Sequence, residues 1–386
     1  MRTIFYILLC CLMQTVAAQN EPVTVFRAGE GGYAVFRIPA IIRIPSGELL
    51  AFAEGRVHTG ADFGDIDIVM KRSIDAGKTW SSLQKITDYD SLQSGNPAPV
   101  VDMLDPRFPG GRIFLFYNTG TVSEADIRHG KGYKQVWYIT SVDGGASWSA
   151  PTDITIQVSR PLKPSYNAAW NFPEDWRCYA NTPGHAVQFT EGEYKGRIFI
   201  AANHSEGDAK SGAEDYYTHG FYSDNHGAAF QLSENVPLAG SNEATAAVLP
   251  DGQLLMNIRN QKGDQRYRII ARSNNGGGNW SEVYFDTALP DPVCEGSMLL
   301  LNPGRRKSLL AFSNNASHQR RDSLTVYLSS DLGRSWPRKY LIDAGAPGQR
   351  GDCTAYSDLV AIPGKQLGIL YEKNDYRLIV FRRLSL

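Results

Sequence analysis

Three arginines of this chain border apolar, strand-like runs that lie far apart in sequence. Arg37 sits in Phe36-Arg37-Ile38-Pro39, Arg259 in Asn257-Ile258-Arg259-Asn260, and Arg321 just ahead of Leu324-Thr325-Val326-Tyr327-Leu328. A guanidinium is planar and permanently charged, so arginines brought together can hold a carboxylate, one of them through a bidentate fork. Taken singly, each is read more simply as a surface residue. They carry chemistry only if the fold makes them meet. The seven histidines and the cysteines Cys178, Cys294 and Cys353 lack metal-ligand spacing, so neither a metal site nor a cofactor is expected.

The elements that could bring them together are announced by a repeat. Ser-x-Asp-x-Gly-x-x-Trp occurs at Ser73–Trp80, Ser141–Trp148 and Ser329–Trp336. Ser273–Trp280 carries Asn275 in place of Asp, and Ser223–Phe230 is a worn copy with Phe for Trp. Successive copies start 68, 82, 50 and 56 residues apart, a length that suits a four-stranded sheet with its loops, the blade of a β-propeller. Runs such as Val136–Thr140 and Tyr267–Ala271 precede the copies and are rich in β-branched and aromatic residues. The Asp or Asn can accept from nearby backbone N–H groups, Gly can take positive φ, and Trp can cover the hairpin. The repeat therefore reads as a structural staple. The expected architecture is all-β: a six-bladed propeller of four-stranded antiparallel blades. The strand-like ends, Val23–Phe26 and Tyr376–Phe381, would share the last blade and close the ring.

With 386 residues, 20% charged and 42% hydrophobic, the chain is an ordinary globular one that a single propeller consumes. A net charge of −1 leaves no nucleic-acid footprint, and no apolar run after residue 20 reaches membrane-spanning length. Residues 1–18 differ. Arg2, the apolar run Ile4–Met13 and Val16-Ala17-Ala18 form the n-region, h-region and small-residue site of a signal peptide. Cleavage after Ala18 is expected, leaving a propeller domain over 19–386 that is secreted or periplasmic. Cys178, Cys294 and Cys353 are an odd number, read as buried small hydrophobes with at most one disulfide.

The Phe36-Arg37-Ile38-Pro39 motif followed by several Asp-box (BNR) repeats resembles the exo-α-sialidase (neuraminidase) family, from about residue 22 to 386. The resemblance implies a carboxylate-binding triad at Arg37, Arg259 and Arg321. It implies an acid/base at Asp62, six residues after the Glu54-Gly55-Arg56 segment, and a nucleophile at Tyr356 in Ala355-Tyr356-Ser357-Asp358. Glu243 in Ser241-Asn242-Glu243-Ala244 would be the partner of that tyrosine, and Glu372 in Leu370-Tyr371-Glu372 would hold Arg37. Arg56 and Asn96 match substrate-binding positions, although Asn96 reads equally as a turn residue before Pro97. Glu295 is a weaker candidate for the sugar's glycerol side chain.

The residue types suit that chemistry. Sialic acid carries a carboxylate on its anomeric carbon, which would repel a carboxylate nucleophile; a neutral phenol is not repelled but needs a base. The implied reaction is retaining hydrolysis of terminal α-linked sialic acid from glycans. The alternatives are a trans-sialidase and a non-catalytic sialoglycan-binding propeller. Asp65 and Asp67 rival Asp62 but alternate with Ile66 and Ile68, as structural residues at a strand start do. Trp137, Trp170 and Trp176 end no repeat and are free to meet substrate, and 163–177 reads as a long loop beside the aglycone.

Overall fold

The fold is that of a computed structural model, which describes residues 21–181, 183–301 and 308–386. The signal-peptide expectation falls outside the described residues. Among the described residues, twenty-five strands form five hydrogen-bonded sheets. Val23–Arg27 pairs antiparallel with Leu378–Ser385, which continues through Gln366–Lys373 to Thr354–Ile362. The two ends thus share a sheet, with Val23 opposite Phe381. Tyr376, however, belongs to the turn before Leu378 and not to the strand.

The expectation of six separate four-stranded blades needs correction. Four sheets are separate blades: the terminal one, the sheet begun by Trp176–Asn181 (five strands, because Val187–Gln188 also joins it), and those begun by Ser241–Val248 and Ser297–Leu301. The fifth is a continuous eight-stranded sheet spanning Val35 to Asp153. It is continuous because the edge strand Gln84–Thr87 pairs only with Ile68, Val69 and Met70, leaving the start of Ile66–Ser73 with an open edge. Gln93 takes that edge in a parallel pairing with Ile66, and the Ile66 amide donates to the Leu92 carbonyl at 3.4 Å.

Innermost strands ring a central channel. Val35–Arg43 touches Thr354–Ile362 on one side and Gln93–Asp102 on the other, and Ser297–Leu301 bridges Thr354–Ile362 to Ser241–Val248. Burial follows position: Leu49–Arg56 is buried along its whole length, whereas the outer strand Arg338–Asp343 is mostly exposed. The apolar core lies in the seams between neighbouring sheets. Phe26, Phe36, Val69 and Phe381 pack in one seam, Phe116, Tyr179, Ile200 and Phe221 in another.

The repeats are the staples that hold these seams. In the first copy Asp75 Oδ1 accepts from the Lys78 and Thr79 amides at 3.0 and 2.9 Å, and the Gly77 amide donates to Ser73 Oγ at 2.8 Å. Asn225 and Asn275 do the same work for the Ala229 and Asn279 amides, both at 2.9 Å. The residue before each glycine is also left-handed, including Ala76 at φ 59° and Leu332 at φ 61°. The glycine is needed for close approach as well: a Cβ on Gly77 would lie 2.0 Å from the Phe381 ring of the adjacent sheet. Trp80 meets that ring edge-on at 5.5 Å, and Trp148 meets Phe52 at 6.1 Å. Trp80, and likewise Trp280 against Phe199 at 6.4 Å, thereby lock one sheet to the next, whereas Trp148 packs across the continuous sheet.

The three cysteines are buried and free, so the single disulfide allowed for is not formed. Among the described residues no helix is long and apolar enough to cross a membrane.

Candidate active site

In an antiparallel sheet the start of one strand and the end of the next share an edge. Arg37, Asn96, Glu243 and Tyr356 lie near the starts of innermost strands, while Arg56, Arg259 and Glu372 lie at or near the ends of the strands that follow them. All seven therefore reach one end of the channel, joined by the loops that carry Asp62 and Arg321. The innermost strands also share a local device. Pairing register shifts between Arg37 and Ala40, Gly95 and Ala98, Ser241 and Ala244, and Thr354 and Ser357. Such bulges re-aim side chains, and each sits at a candidate residue. Two of them coincide with a proline inside the strand, Pro39 and Pro97, a residue that strands tolerate at bulges. Ile38 and Asn96 there take left-handed φ of 57° and 56°.

At the centre, the Tyr356 hydroxyl donates to Glu243, with its two carboxylate oxygens at 2.7 and 2.8 Å. Arg259 Nη1 donates to Glu243 Oε2 at 2.6 Å and to the Tyr356 oxygen at 2.8 Å. Tyr356 is 5% exposed, and burial pushes its phenol well up. The Glu243 charge adds to that, while Arg259 and Arg321 oppose it. The phenol is thus held protonated, with a carboxylate in place to receive the proton. The Arg37 and Arg321 guanidinium carbons each lie 5.4 Å from the centre of its ring. The triad that the sequence scattered over 285 positions is assembled around one tyrosine side chain.

Glu372, completely buried, accepts from Arg37 Nε at 2.7 Å, the Ile38 amide at 2.9 Å and the Tyr356 amide at 3.1 Å. It fixes Arg37 and the Tyr356 backbone together. Asp62 stands apart: its side chain is 76% exposed, with Oδ1 2.7 Å from Arg56 Nη1 and 3.9 Å from Arg37 Nη1. Desolvation would raise its pKa, but Arg56 and Arg37 outweigh this and hold it below the usual carboxylate range.

Arg56 is buried beneath the Asp62 loop, tied to Glu54 through Nε at 3.0 Å and Nη2 at 2.7 Å, and to the Gly60 carbonyl at 2.5 Å. Asn96 spends its side-chain amide on the Asn181 carbonyl at 2.7 Å, and its backbone amide donates to Glu54 Oε1 at 2.9 Å. Of the two rivals of Asp62, Asp67 is buried and accepts the Tyr33 hydroxyl at 2.6 Å.

Three expectations shift. Glu295 is 3% exposed and receives the Ser357 amide at 3.0 Å, so it braces the strand that carries Tyr356 from behind rather than facing a sugar. Trp176 is stacked on His204 at 3.5 Å and Trp170 is buried, so neither is free for substrate. Sequence reasoning missed Tyr376, which contacts Arg37 and Arg321, and Asp352, which accepts the Tyr376 hydroxyl: read as a strand residue, Tyr376 gave no sign of pointing into the site. A cavity of about 870 Å³ opens at the other end of the channel, but aliphatic side chains such as Val100, Met298 and Leu359 line it, and it holds no nucleophile–base pair.

The BNR repeat-like domain family matches residues 47–369. An exo-alpha-sialidase of Aspergillus fumigatus is 31% identical over 92% of this chain and 85% of its own length. A sialidase of Micromonospora viridifaciens is 29% identical over 89% of this chain and 50% of its own length. Among solved structures, the Hadza microbial sialidase Hz136 shares the fold with a TM-score of 0.77 at 23% identity, covering 95% of this chain and 68% of that one.

Proposed function

The chain belongs to the sialidase family built on BNR repeats, a family of glycoside hydrolases, and from that premise we propose that it is an exo-α-sialidase working by retention through Tyr356. The observation that carries this reading is the Tyr356 hydroxyl bonded to Glu243 at 2.7 Å with three guanidiniums around it. A carboxylate on the anomeric carbon would be held by Arg37, Arg259 and Arg321, which places that carbon over the phenol oxygen.

In the first step the Tyr356 proton passes to Glu243 as the phenol oxygen bonds to the anomeric carbon. Asp62 gives its proton to the departing glycosidic oxygen. In the second step the Asp62 carboxylate takes a proton from water, the water oxygen bonds to the anomeric carbon, and Tyr356 leaves with the proton held by Glu243. The lowered pKa of Asp62 suits its role as base in the second step. A bound carboxylate offsets the Arg37 charge, so substrate itself raises Asp62 toward the protonated form that the first step needs. The exposed position of Asp62 supports a role at the aglycone, where both leaving group and water arrive.

The substrates proposed are sialylated glycoproteins, glycolipids and oligosaccharides. Incubation with an aryl α-sialoside, with NMR of the first sugar released, tests the reading. Release of the α anomer is expected. No release between pH 4 and 8 would sink it, and an anhydro sugar would mean that the substrate's own hydroxyl replaces water. Export through the leader at 1–18 is proposed on the same footing: N-terminal sequencing of the mature protein should begin at Gln19.

A further inference from the structure

We propose that Tyr376, held by Asp352, is a positioning residue that sets the two outer guanidiniums, Arg37 and Arg321, for an incoming carboxylate; this rests on the reading of those arginines given above. The Arg37 guanidinium lies over the Tyr376 ring, with its carbon 3.9 Å from the ring centre. Its hydroxyl accepts from Arg321 Nη1 at 3.0 Å and donates to the Asp352 carboxylate. One side chain therefore touches both cations, by its face and by its tip.

The arrangement solves a problem that direct ion pairing would not. Arg37 already has Glu372 on Nε. The Arg321 guanidinium donates to the neutral Tyr376 hydroxyl at 3.0 Å and to the Val293 carbonyl at 3.4 Å. A carboxylate in direct contact with Arg321 would compete with substrate for it. Placing the Asp352 charge one phenol away orients and compensates Arg321 while leaving its charge available. The Tyr376 face, rich in π density, lets Arg37 stay close to Arg321 without a second carboxylate.

The backbone is built for this purpose. Asn374, Asp375 and Tyr376 all take left-handed φ, at 56°, 50° and 62°. Asn and Asp tolerate that region; a bulky aromatic does so only when its surroundings force it, and such strain clusters at functional sites. Here the surroundings are specific. The Asp352 amide donates to Asp375 Oδ1 at 2.6 Å, and the Asp375 amide donates back to the Asp352 carbonyl at 2.8 Å. The Asn374 amide donates to the Cys353 carbonyl, and the Cys353 amide to the carbonyl of Arg321 itself, both at 3.0 Å. A Cβ on Gly351 would lie 2.3 Å from the Asp375 carboxylate, so that glycine is needed for the two loops to close. Tyr376, Asp352 and Arg321 are thereby one hydrogen-bonded unit.

Contacts to the substrate carboxylate exist before and during the reaction, so losing their alignment raises KM and leaves kcat nearly unchanged. For Tyr376→Ala we expect KM for an aryl α-sialoside to rise roughly tenfold or more, with kcat within about threefold. Tyr376→Phe, which keeps the stacking face, should recover part of that loss. Asp352→Asn should raise KM by a few fold at most, roughly as loss of one charge-assisted bond predicts. Free sialic acid, measured by calorimetry, should weaken in parallel with KM, and melting temperatures separate this from unfolding. Wild-type KM and affinity in Tyr376→Ala, or equal loss of kcat and kcat/KM, would overturn the proposal. Failure of the wild-type protein to cleave or bind any sialoside would instead overturn the reading on which it rests.

Discussion

Glu372→Gln removes one negative charge and adds two hydrogens at the most enclosed point of the site. The carboxylate has no exposed surface and accepts from three donors: Arg37 Nε, the Ile38 amide and the Tyr356 amide. A glutamine offers one acceptor oxygen where two are used, so its NH2 must face at least one of these N–H groups. Arg37, itself 7% exposed, is left with an uncompensated charge. Removing one partner of a buried ion pair costs about 3–5 kcal/mol. Unfolding entropy of about 2.1 cal/mol/K per residue over roughly 360 residues is about 0.76 kcal/mol/K, so Tm should fall by about 4–7 °C. Arg37 would also lose its orientation toward substrate, and KM should rise roughly tenfold. Thermal melting by circular dichroism and initial rates on an aryl α-sialoside measure both. A variant that melts within about 1 °C of the wild type and keeps its KM would refute the claim that Glu372 holds Arg37 and the Tyr356 backbone in place.

Tyr356→Phe should keep the fold and the affinity for free sialic acid while turnover falls by at least about 10³-fold; comparable turnover in a steady-state assay would remove the nucleophile assignment. Arg56→Lys loses the fork that helps hold Asp62 below the usual carboxylate range. Asp62 should then keep its proton to higher pH, so the alkaline limb of kcat/KM should move up, and a downward shift would contradict the assignment. Burial pushes Glu295 up, so the folded protein holds its proton more tightly than the unfolded chain does, and stability falls as pH rises above the ordinary glutamate value. Glu295→Gln should therefore be at least as stable as the wild type at pH 7, and a loss of several degrees in Tm would show that the group is ionised. In the first repeat, burial is the largest single influence on Asp75 and opposes its ionisation, but hydrogen bonds from Thr79, Ser73 and Lys78 together outweigh it and bring the carboxyl down to about 2. Because the folded value lies below the unfolded one, its contribution is complete above pH 4 and is lost as pH falls toward 2. Asp75→Ala should destabilise at pH 7 by about 1–2 kcal/mol, and the gap should close in melts taken between pH 4 and 2.

Much of this protein was readable from local chemistry. The staples at Asp75, Asp143, Asn225, Asn275 and Asp331 form as their residue types dictate, because Ser, Asp, Gly and their backbone bond within one turn. The arginines, Tyr356 and Glu243 could be picked out because the motifs around them resemble those of the sialidase family. What the chain alone did not disclose depends on partners distant in sequence. Whether Ile66 pairs with Gln93 and fuses two expected blades depends on how much edge Gln84–Thr87 leaves uncovered. Glu295 and Trp176 look like site residues in one dimension and are buried in three, because packing decides which side of a strand faces the channel. Tyr376 reads as the start of a strand. Only the docking of its hairpin against 351–353 forces it left-handed and lays it on Arg37, 339 positions away. Turn chemistry acts over four or five residues and is written in the sequence there. The spacing of two guanidiniums is a property of the closed ring, and no segment of the chain contains it.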